Sequence, residues 1–300
     1  DGQEDIFQLN GGSFISPPGI SDELLDLGND QFLLRTKYGM NYHFSDPSHR
    51  RLTKVVDRNN NELLLTYTDS LPTTIAGTCG RILQLEYVNG LLIRIRDQNS
   101  NSQRIVEFKY DQSGNLRSII DPLGNSRDYI YDINRKIIQV NDRRSNIVQI
   151  EYNNKGAVTE LQSGISHFNV FYDKPNMQTT ITQPVGSALQ TTIYTFDNEG
   201  RAIQINGNCC GFDVQYIYDA NNNMTRIIDA KGLIYDYTYD SKGNVLTETD
   251  PLLNVQEFQY QPQFSQLAFW KDKNSNSSFC TFDDSGNVTS ISFSSGLIRN

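Results

Sequence analysis

The chain has 300 residues, a formal charge of −9 and a pI near 4.9, a balance that repels a phosphate backbone and argues against nucleic acid as a partner. Hydrophobic residues are only 37% of the sequence but aromatics are 11%, which excludes a disordered chain and implies a thin core with much solvated surface. No run approaches the ~20 apolar positions that span a bilayer, and no Cys/His cluster has metal spacing, so neither a membrane span nor a zinc or other cofactor site is expected.

In chain order, the opening Asp1-Gly2-Gln3-Glu4-Asp5 has neither the basic start nor the apolar run of a signal peptide, and it lacks Met. The chain therefore reads as a piece of a longer protein. Residues 1–31 fall outside the rhythm that follows and are expected to cap or lead into it, because an exposed sheet edge invites aggregation. Within them Ser21-Asp22-Glu23-Leu24-Leu25-Asp26-Leu27 is the one stretch compatible with helical spacing, and it is too short to stand alone.

From residue 32 to 300 an aromatic recurs at Phe44, Tyr67, Tyr87, Tyr110, Tyr131, Tyr152, Tyr172, Phe196, Tyr218, Tyr239, Tyr260 and Phe282. The intervals of 23, 20, 23, 21, 21, 20, 24, 22, 21, 21 and 22 residues define about eleven tandem units. An array of this kind grows by adding units, so the length requires no second core. The clearest unit runs Val106-Glu107-Phe108-Lys109-Tyr110-Asp111-Gln112-Ser113-Gly114-Asn115-Leu116. Its alternation places Val106, Phe108 and Tyr110 on one side and Glu107 and Lys109 on the other, the pattern of a strand with one packed and one wetter face.

After the aromatic comes a turn. Asp111 stands where its carboxylate can accept from backbone N–H groups, and Gly114 where the chain needs φ > 0 to close a hairpin with a bulge. The same turn positions are read at Tyr131 and Asp132, at Gly156, at Phe196, Asp197 and Gly200, and at Tyr218 and Asp219. They return at Tyr239, Asp240 and Gly243, and at Phe282, Asp283 and Gly286. Asn222 and Asn176 replace the glycine in two units, and Asn tolerates the left-handed region best after Gly. Asn89-Gly90 is a two-residue hairpin signal, Arg135 is a departure, and Tyr260-Gln261-Pro262-Gln263 has lost the turn signature. About eleven residues after each aromatic a second, wider turn is expected, at Asp57–Asn61, Asp97–Asn101, Asp121–Asn125, Asp142–Asn146, Asp250–Asn254 and Asp272–Asn276. Each unit thus reads strand, tight turn, strand, wider turn: an all-β array of β-hairpins.

The Tyr-Asp-x-x-Gly-Asn phrase, followed by Asp121-Pro122-Leu123-Gly124-Asn125, resembles the YD repeat of the Rhs family, which includes bacterial Rhs toxins, shell components of insecticidal toxin complexes and the teneurins. The resemblance covers about residues 32–298. It implies a curved β-sheet strip that spirals into a hollow shell, which in bacterial members encloses a C-terminal toxin and in teneurins serves adhesion. Eleven units imply an open strip or partial turn of that shell. The implied partners are a polypeptide cargo or the remaining repeats of the parent chain, with a cell-surface protein or glycan as the alternative, and the implied location is secreted or cell surface. The family's self-processing segment, with its catalytic aspartates, has no counterpart here, so no catalytic residue carries over and no enzyme is expected.

Sharper readings fare worse. A glycosidase-like acid pair could be drawn from Asp240 and Asp250, but carboxylates repeated in every unit argue for turns. His43, His49 and His167 stand in no Gly-x-Ser-x-Gly or Cys/His context. Asn223, Asn276 and Asn287 head glycosylation triplets that an Asn-rich turn protein acquires by chance. Cys79, Cys209, Cys210 and Cys280 do not fix a redox compartment. The aromatic stripe is expected to form a ladder of stacked rings, with Trp270, off the rhythm, as the best single contact residue.

Overall fold

The computed structural model describes residues 4–46, 49–99, 104–209, 211–294 and 298–299; Asn101 and Cys210 lie outside the described residues. It is all-β, with no helix among the described residues. A short hairpin, Gln8–Asn10 with Ser13–Ile15, precedes a long series of strands in which sequence neighbours pair antiparallel. Ser21–Leu27 is not helical. Glu23–Gly28 is a strand whose Leu24 and Leu25 lie opposite Leu34 and Leu33, and cross-strand pairing overrides the weak helical spacing.

The chain divides into two compact units, residues 66–215 and residues 1–65 with 216–300. In the first, consecutive strands from Leu71–Gly77 to Asp213–Tyr218 pair in order. In the second, one run extends from Glu23–Gly28 to Glu62–Thr68 and another from Met224–Ile228 to Ile298–Arg299.

The repeat length follows from the parts. Leu116–Ile120 is a five-residue strand, Ser126–Tyr131 a six-residue one, and the loops Asp111–Asn115 and Asp121–Asn125 take five residues each. The two turns are the same loop, not a tight and a wider one. In both Asp111–Asn115 and Asp121–Asn125 the Asp N–H donates to the Asn carbonyl, at 2.9 and 3.0 Å, and the Gly N–H donates back to the Asp carbonyl, at 3.1 and 2.9 Å. What differs is the strand that follows. After the Tyr-Asp turn the register slips, with Lys109 opposite Ser118 and Tyr110 opposite Leu116, so Arg117 is an extra bulged residue. No slip follows the second turn, where Ile120 faces Ser126 and Ile119 faces Arg127.

Because strands alternate in direction, the turns fall on two rims. The tyrosine rim holds those after the aligned aromatic, and the distal rim holds the others. Between the rims is one layer of sheet. Its apolar face carries rows such as Tyr129–Val140–Val148 and Ile150–Leu161–Phe168, and its polar face Gln139–Gln149–Gln162–His167. Leu33 is the one buried hydrophobic residue among those described, and 19650 Å² of surface stays accessible. A compact monomer of this mass would expose roughly 13,000 Å². Stability must therefore come from neighbour-to-neighbour contacts along the strip and not from a central core.

Candidate functional site

The repeated loop is the element the chain invests in most. In Asp111–Asn115 one carboxylate oxygen of Asp111 accepts from the Ser113 and Asn115 N–H groups at 2.8 and 2.9 Å, and the other accepts from Asn115 Nδ2 at 2.9 Å. Asp132, Asp197, Asp219, Asp240 and Asp283 hold their loops by the same backbone pair. So do Asp57, Asp142, Asp229 and Asp272 on the distal rim. In three of these loops the donors favour the ionised acid: the Asn115 amide, then backbone N–H groups, lower the Asp111 pKa, and Asn146 and Asn287 do the same for Asp142 and Asp283. Gly114, Gly156, Gly200, Gly243 and Gly286 all have positive φ, between 71° and 84°. Asn222 and Arg135 occupy that position at φ 63°. In the Tyr172 unit the left-handed residue is Met177, not Asn176. Asn176 instead donates its amide to Asp173 at 2.8 Å, because this loop closes by a Met177 N–H to Lys174 carbonyl bond.

These geometries decide several sharper readings. Asp240 and Asp250 sit on opposite rims, separated by the strand Val245–Thr249, about 17 Å at ~3.4 Å per residue. That is too far for a carboxylate pair acting on one glycosidic bond. Asp250 is spoken for: Lys273, above all, and Asn254 hold it far below the usual carboxylate range. The amides of Asn223, Asn276 and Asn287 donate to their own loop aspartates at 3.0, 2.8 and 2.9 Å. Among the described residues no three His, Cys, Asp or Glu side chains converge as a metal site. Cys79 is exposed and free, and Cys280 is half-buried and free.

The aligned tyrosines make a contact that spacing does not reveal. The hydroxyls of Tyr131, Tyr152 and Tyr239 donate to the carbonyls of Leu116, Ile137 and Met224, each fifteen residues back, at 2.7, 2.7 and 2.6 Å. Tyr110 reaches the Leu92 carbonyl at 2.8 Å in the same way. The expected ladder of stacked rings is replaced here by this clasp. The close ring pairs Phe14–Phe32 and Phe269–Phe279 involve none of the aligned positions. Trp270 lies at a half-exposed strand position and donates Nε1–H to Gln256 at 3.3 Å.

Within the unit of residues 1–65 and 216–300, rims meet. The Lys37 ammonium donates to the Lys242 carbonyl at 3.1 Å and to Asn244 Oδ1 at 3.4 Å. Ser21 Oγ also donates to the Lys242 carbonyl, at 2.8 Å, Asn222 donates to the Pro18 carbonyl, and Asn287 to Asn59. Phe264 fills the gap: a methyl built on Gly39 or Gly286 would lie 2.6 or 2.5 Å from its ring. The Tyr260 unit, which lost the turn signature, supplies this wedge. Its turn is rebuilt by the Phe264 N–H to Gln261 Oε1 bond, at 2.6 Å, and by buried Ser265 at φ 51°.

In the other unit, two open depressions of about 780 and 510 Å³ adjoin on strands between Ile137 and Ser163 and share Gln149 and Gln162. They are open, lined by amides, by the carboxylates Asp132, Asp142, Glu151 and Glu160 and by apolar side chains such as Val140, Val148 and Ile150, a mixed surface suited to broad contact.

A family model described as the teneurin YD-shell matches residues 133–298 of this tandem array of Tyr-Asp hairpins. The chain belongs to the teneurin YD-shell family. No curated protein matches it. Among solved structures, this YD-shell chain is similar to a Photorhabdus luminescens Tc holotoxin pore, at 14% identity over 88% of this chain and 20% of that one, with a TM-score of 0.45. It is also similar to a TcdB2-TccC3 crystal structure, at 13% identity, 97% and 21% coverage and a TM-score of 0.39. A third is TcdB2-TccC3 without its hypervariable C-terminal region, at 15%, 88% and 17%, with a TM-score of 0.43. The chain spans about a fifth of the length of these chains. Family membership makes it a shell-type scaffold.

Proposed function

We propose that the chain is a non-catalytic wall segment of a secreted or cell-surface YD shell, which encloses a polypeptide toxin carried C-terminally in the parent protein and helps deliver it. The reading rests on the single-layer sheet, which leaves an apolar face with no second layer over it, Leu33 being the one buried hydrophobic residue among those described. Such a face can hold an unstructured polypeptide through many weak contacts instead of one pocket. The loop carboxylates are consumed by their own turns, which leaves them no role as an acid pair. In this reading residues 1–31 lead in, with their strand Glu23–Gly28 already paired to Gln31–Arg35, and residues 32–300 are wall.

The test is native purification of the parent protein, followed by intact mass and limited proteolysis. Co-purification of a second polypeptide that resists protease until the repeats unfold is the expected result. Repeats recovered without an enclosed chain, and bound saturably to a surface protein or glycan, would replace containment with recognition.

A further inference from the structure

The contact between Lys37 and Asn244 brings an amine to a carboxamide, within the unit of residues 1–65 and 216–300. Lysines elsewhere meet carboxylates: Lys54 pairs with Glu62, Lys271 with Glu257 and Lys273 with Asp250. An ionised carboxylate is a poor electrophile, and the Lys273 ammonium, above all, holds Asp250 far below the usual carboxylate range. Such pairs stay ionic. A carboxamide carries no charge, so an amine can add to its carbon.

The Asn244 amide is held for that addition. Asn244 is 7% exposed, and Ser265, to which it is bonded, 6%. Lys37 Nζ donates to Asn244 Oδ1 at 3.4 Å, and its second bond, to the Lys242 carbonyl at 3.1 Å, keeps it in place. Asn244 Nδ2 donates to Asp240 Oδ2 at 2.8 Å and to Ser265 Oγ at 3.2 Å. The entering and leaving nitrogens thus have separate partners, and the leaving one touches a carboxyl group. The Lys37 charge acts on Asp240 as well. Burial raises the Asp240 pKa, but the Asn244 N–H groups, the Lys242 N–H and the Lys37 charge together bring it below the ordinary value. Burial disfavours both ions of such a pair, which lowers the cost of passing a proton from ammonium to carboxylate.

We propose that Lys37 and Asn244 join in an isopeptide bond that the folded chain closes by itself, with Asp240 as the proton carrier. Asp240 Oδ2 takes a proton from the Lys37 ammonium, and the freed Nζ lone pair adds to Asn244 Cγ. The tetrahedral adduct collapses as the Cγ–Nδ2 bond breaks, and Asp240 returns its proton to Nδ2. Ammonia leaves and takes the surplus Nζ proton as ammonium, so atoms and charge balance without an oxidant or a co-reactant. The reaction runs once per chain and acts on no other molecule. Its product ties together positions 207 residues apart, which removes freedom from the unfolded chain. A scaffold with a thin core, whose Cys79 and Cys280 are free, gains a covalent staple that needs no thiol.

The experiment ages the purified 300-residue chain in its folded state and records its intact mass and a tryptic map. The expected chain is lighter by one ammonia, and its map joins residues 36–50 to residues 243–271, with no cleavage after Lys37. Lys37→Arg keeps the cation and removes the amine. Asp240→Asn carries no proton but keeps the turn, as Asn153 does in its own loop. Both variants should show full mass and no branched peptide, with circular dichroism matching the parent. Where a variant fails to fold, the mass of the parent still decides. Full mass in the aged parent, with a free peptide of residues 38–50, would overturn the proposal. So would an ammonia loss that survives Lys37→Arg, the mark of a succinimide at an asparagine, or a branched peptide that persists in Asp240→Asn.

Discussion

Tyr131 donates its hydroxyl to the Leu116 carbonyl at 2.7 Å, across from one hairpin to the one before it. The ladder between those hairpins starts at Ser118, opposite Asp128, so the Leu116 carbonyl lies beyond its end, next to the bulge at Arg117. The same offset recurs where Tyr152 reaches Ile137 and the ladder starts at Gln139, and where Tyr239 reaches Met224 and the ladder starts at Arg226. The bulge that re-aims each strand creates an orphan acceptor, and the next repeat's tyrosine satisfies it. Desolvation raises the pKa of Tyr131 and Tyr239, keeping both hydroxyls protonated as donors.

Tyr131→Phe keeps the ring and removes the donor. It should cost about 1 kcal/mol in urea unfolding with an unchanged m-value, as should Tyr152→Phe. Phe282→Tyr tests the converse, because the carbonyl fifteen residues back is that of Leu267, which pairs with Tyr260 at an equivalent bulge. A gain in stability is expected. Two silent Tyr→Phe variants would show that the clasp contributes nothing.

Left-handed positions differ in what surrounds them, which separates backbone strain from crowding. Gly114 has φ 80° and nothing within 4 Å of where a methyl would sit, whereas a methyl on Gly286 would meet the Phe264 ring at 2.5 Å. Gly114→Ala should lose about 1 kcal/mol from conformation alone, and Gly286→Ala clearly more. Leu253 holds φ 65° with its side chain in solvent. Leu253→Gly should therefore stabilise by about 1 kcal/mol in the same assay. A loss of stability on Leu253→Gly would contradict the strain argument.

The hairpin register is legible in the sequence because period-2 alternation and the Asp-x-x-Gly-Asn loop are both local, and each acts within a few residues of chain. Three features are not. The Tyr131–Leu116 clasp is one: the bulge beside Gly114 is legible in the turn, but nothing in the spacing says that a hydroxyl fifteen residues on meets the carbonyl next to it. The equivalence of the two turns is hidden because Pro122 and Arg143 change the look of the loop, while its hydrogen bonds depend only on Asp and the left-handed residue. The Phe264 wedge comes from a unit that broke the pattern. Lost turn residues resemble decay until Gly39, over two hundred residues away, is seen against the ring.

Acid should dissolve the loops together. Asp111, Asp142, Asp272 and Asp283 have pKa values below the ordinary carboxylate value, in each case chiefly through the side-chain amide of the loop asparagine. A carboxylate depressed by folding contributes stability that is present above its unfolded pKa, about 3.9, and is lost as pH falls through the folded value. Unfolding midpoints should thus be flat near neutrality and fall steeply below about pH 4. A midpoint that stays constant to well below that pH would show that the loop carboxylates are not linked to folding.

The loop also separates charge from geometry. Asn153 stands where other repeats have Asp, yet its Oδ1 accepts from the Lys155 and Ala157 N–H groups at 2.9 and 3.0 Å, the same two contacts that Asp111 makes. Asp111→Asn should therefore fold with a modest loss, since an amide oxygen replaces a charged acceptor but meets the same donors. Asp111→Ala leaves the Ser113 and Asn115 N–H groups without their acceptor and should lower the unfolding midpoint further. The Asn variant should also flatten the acid dependence by one titrating group, measured as proton uptake on unfolding near pH 3.5, about where carboxylates titrate. If Asp111→Asn and Asp111→Ala proved equally damaging, the charge and not the two backbone contacts would be what holds the loop.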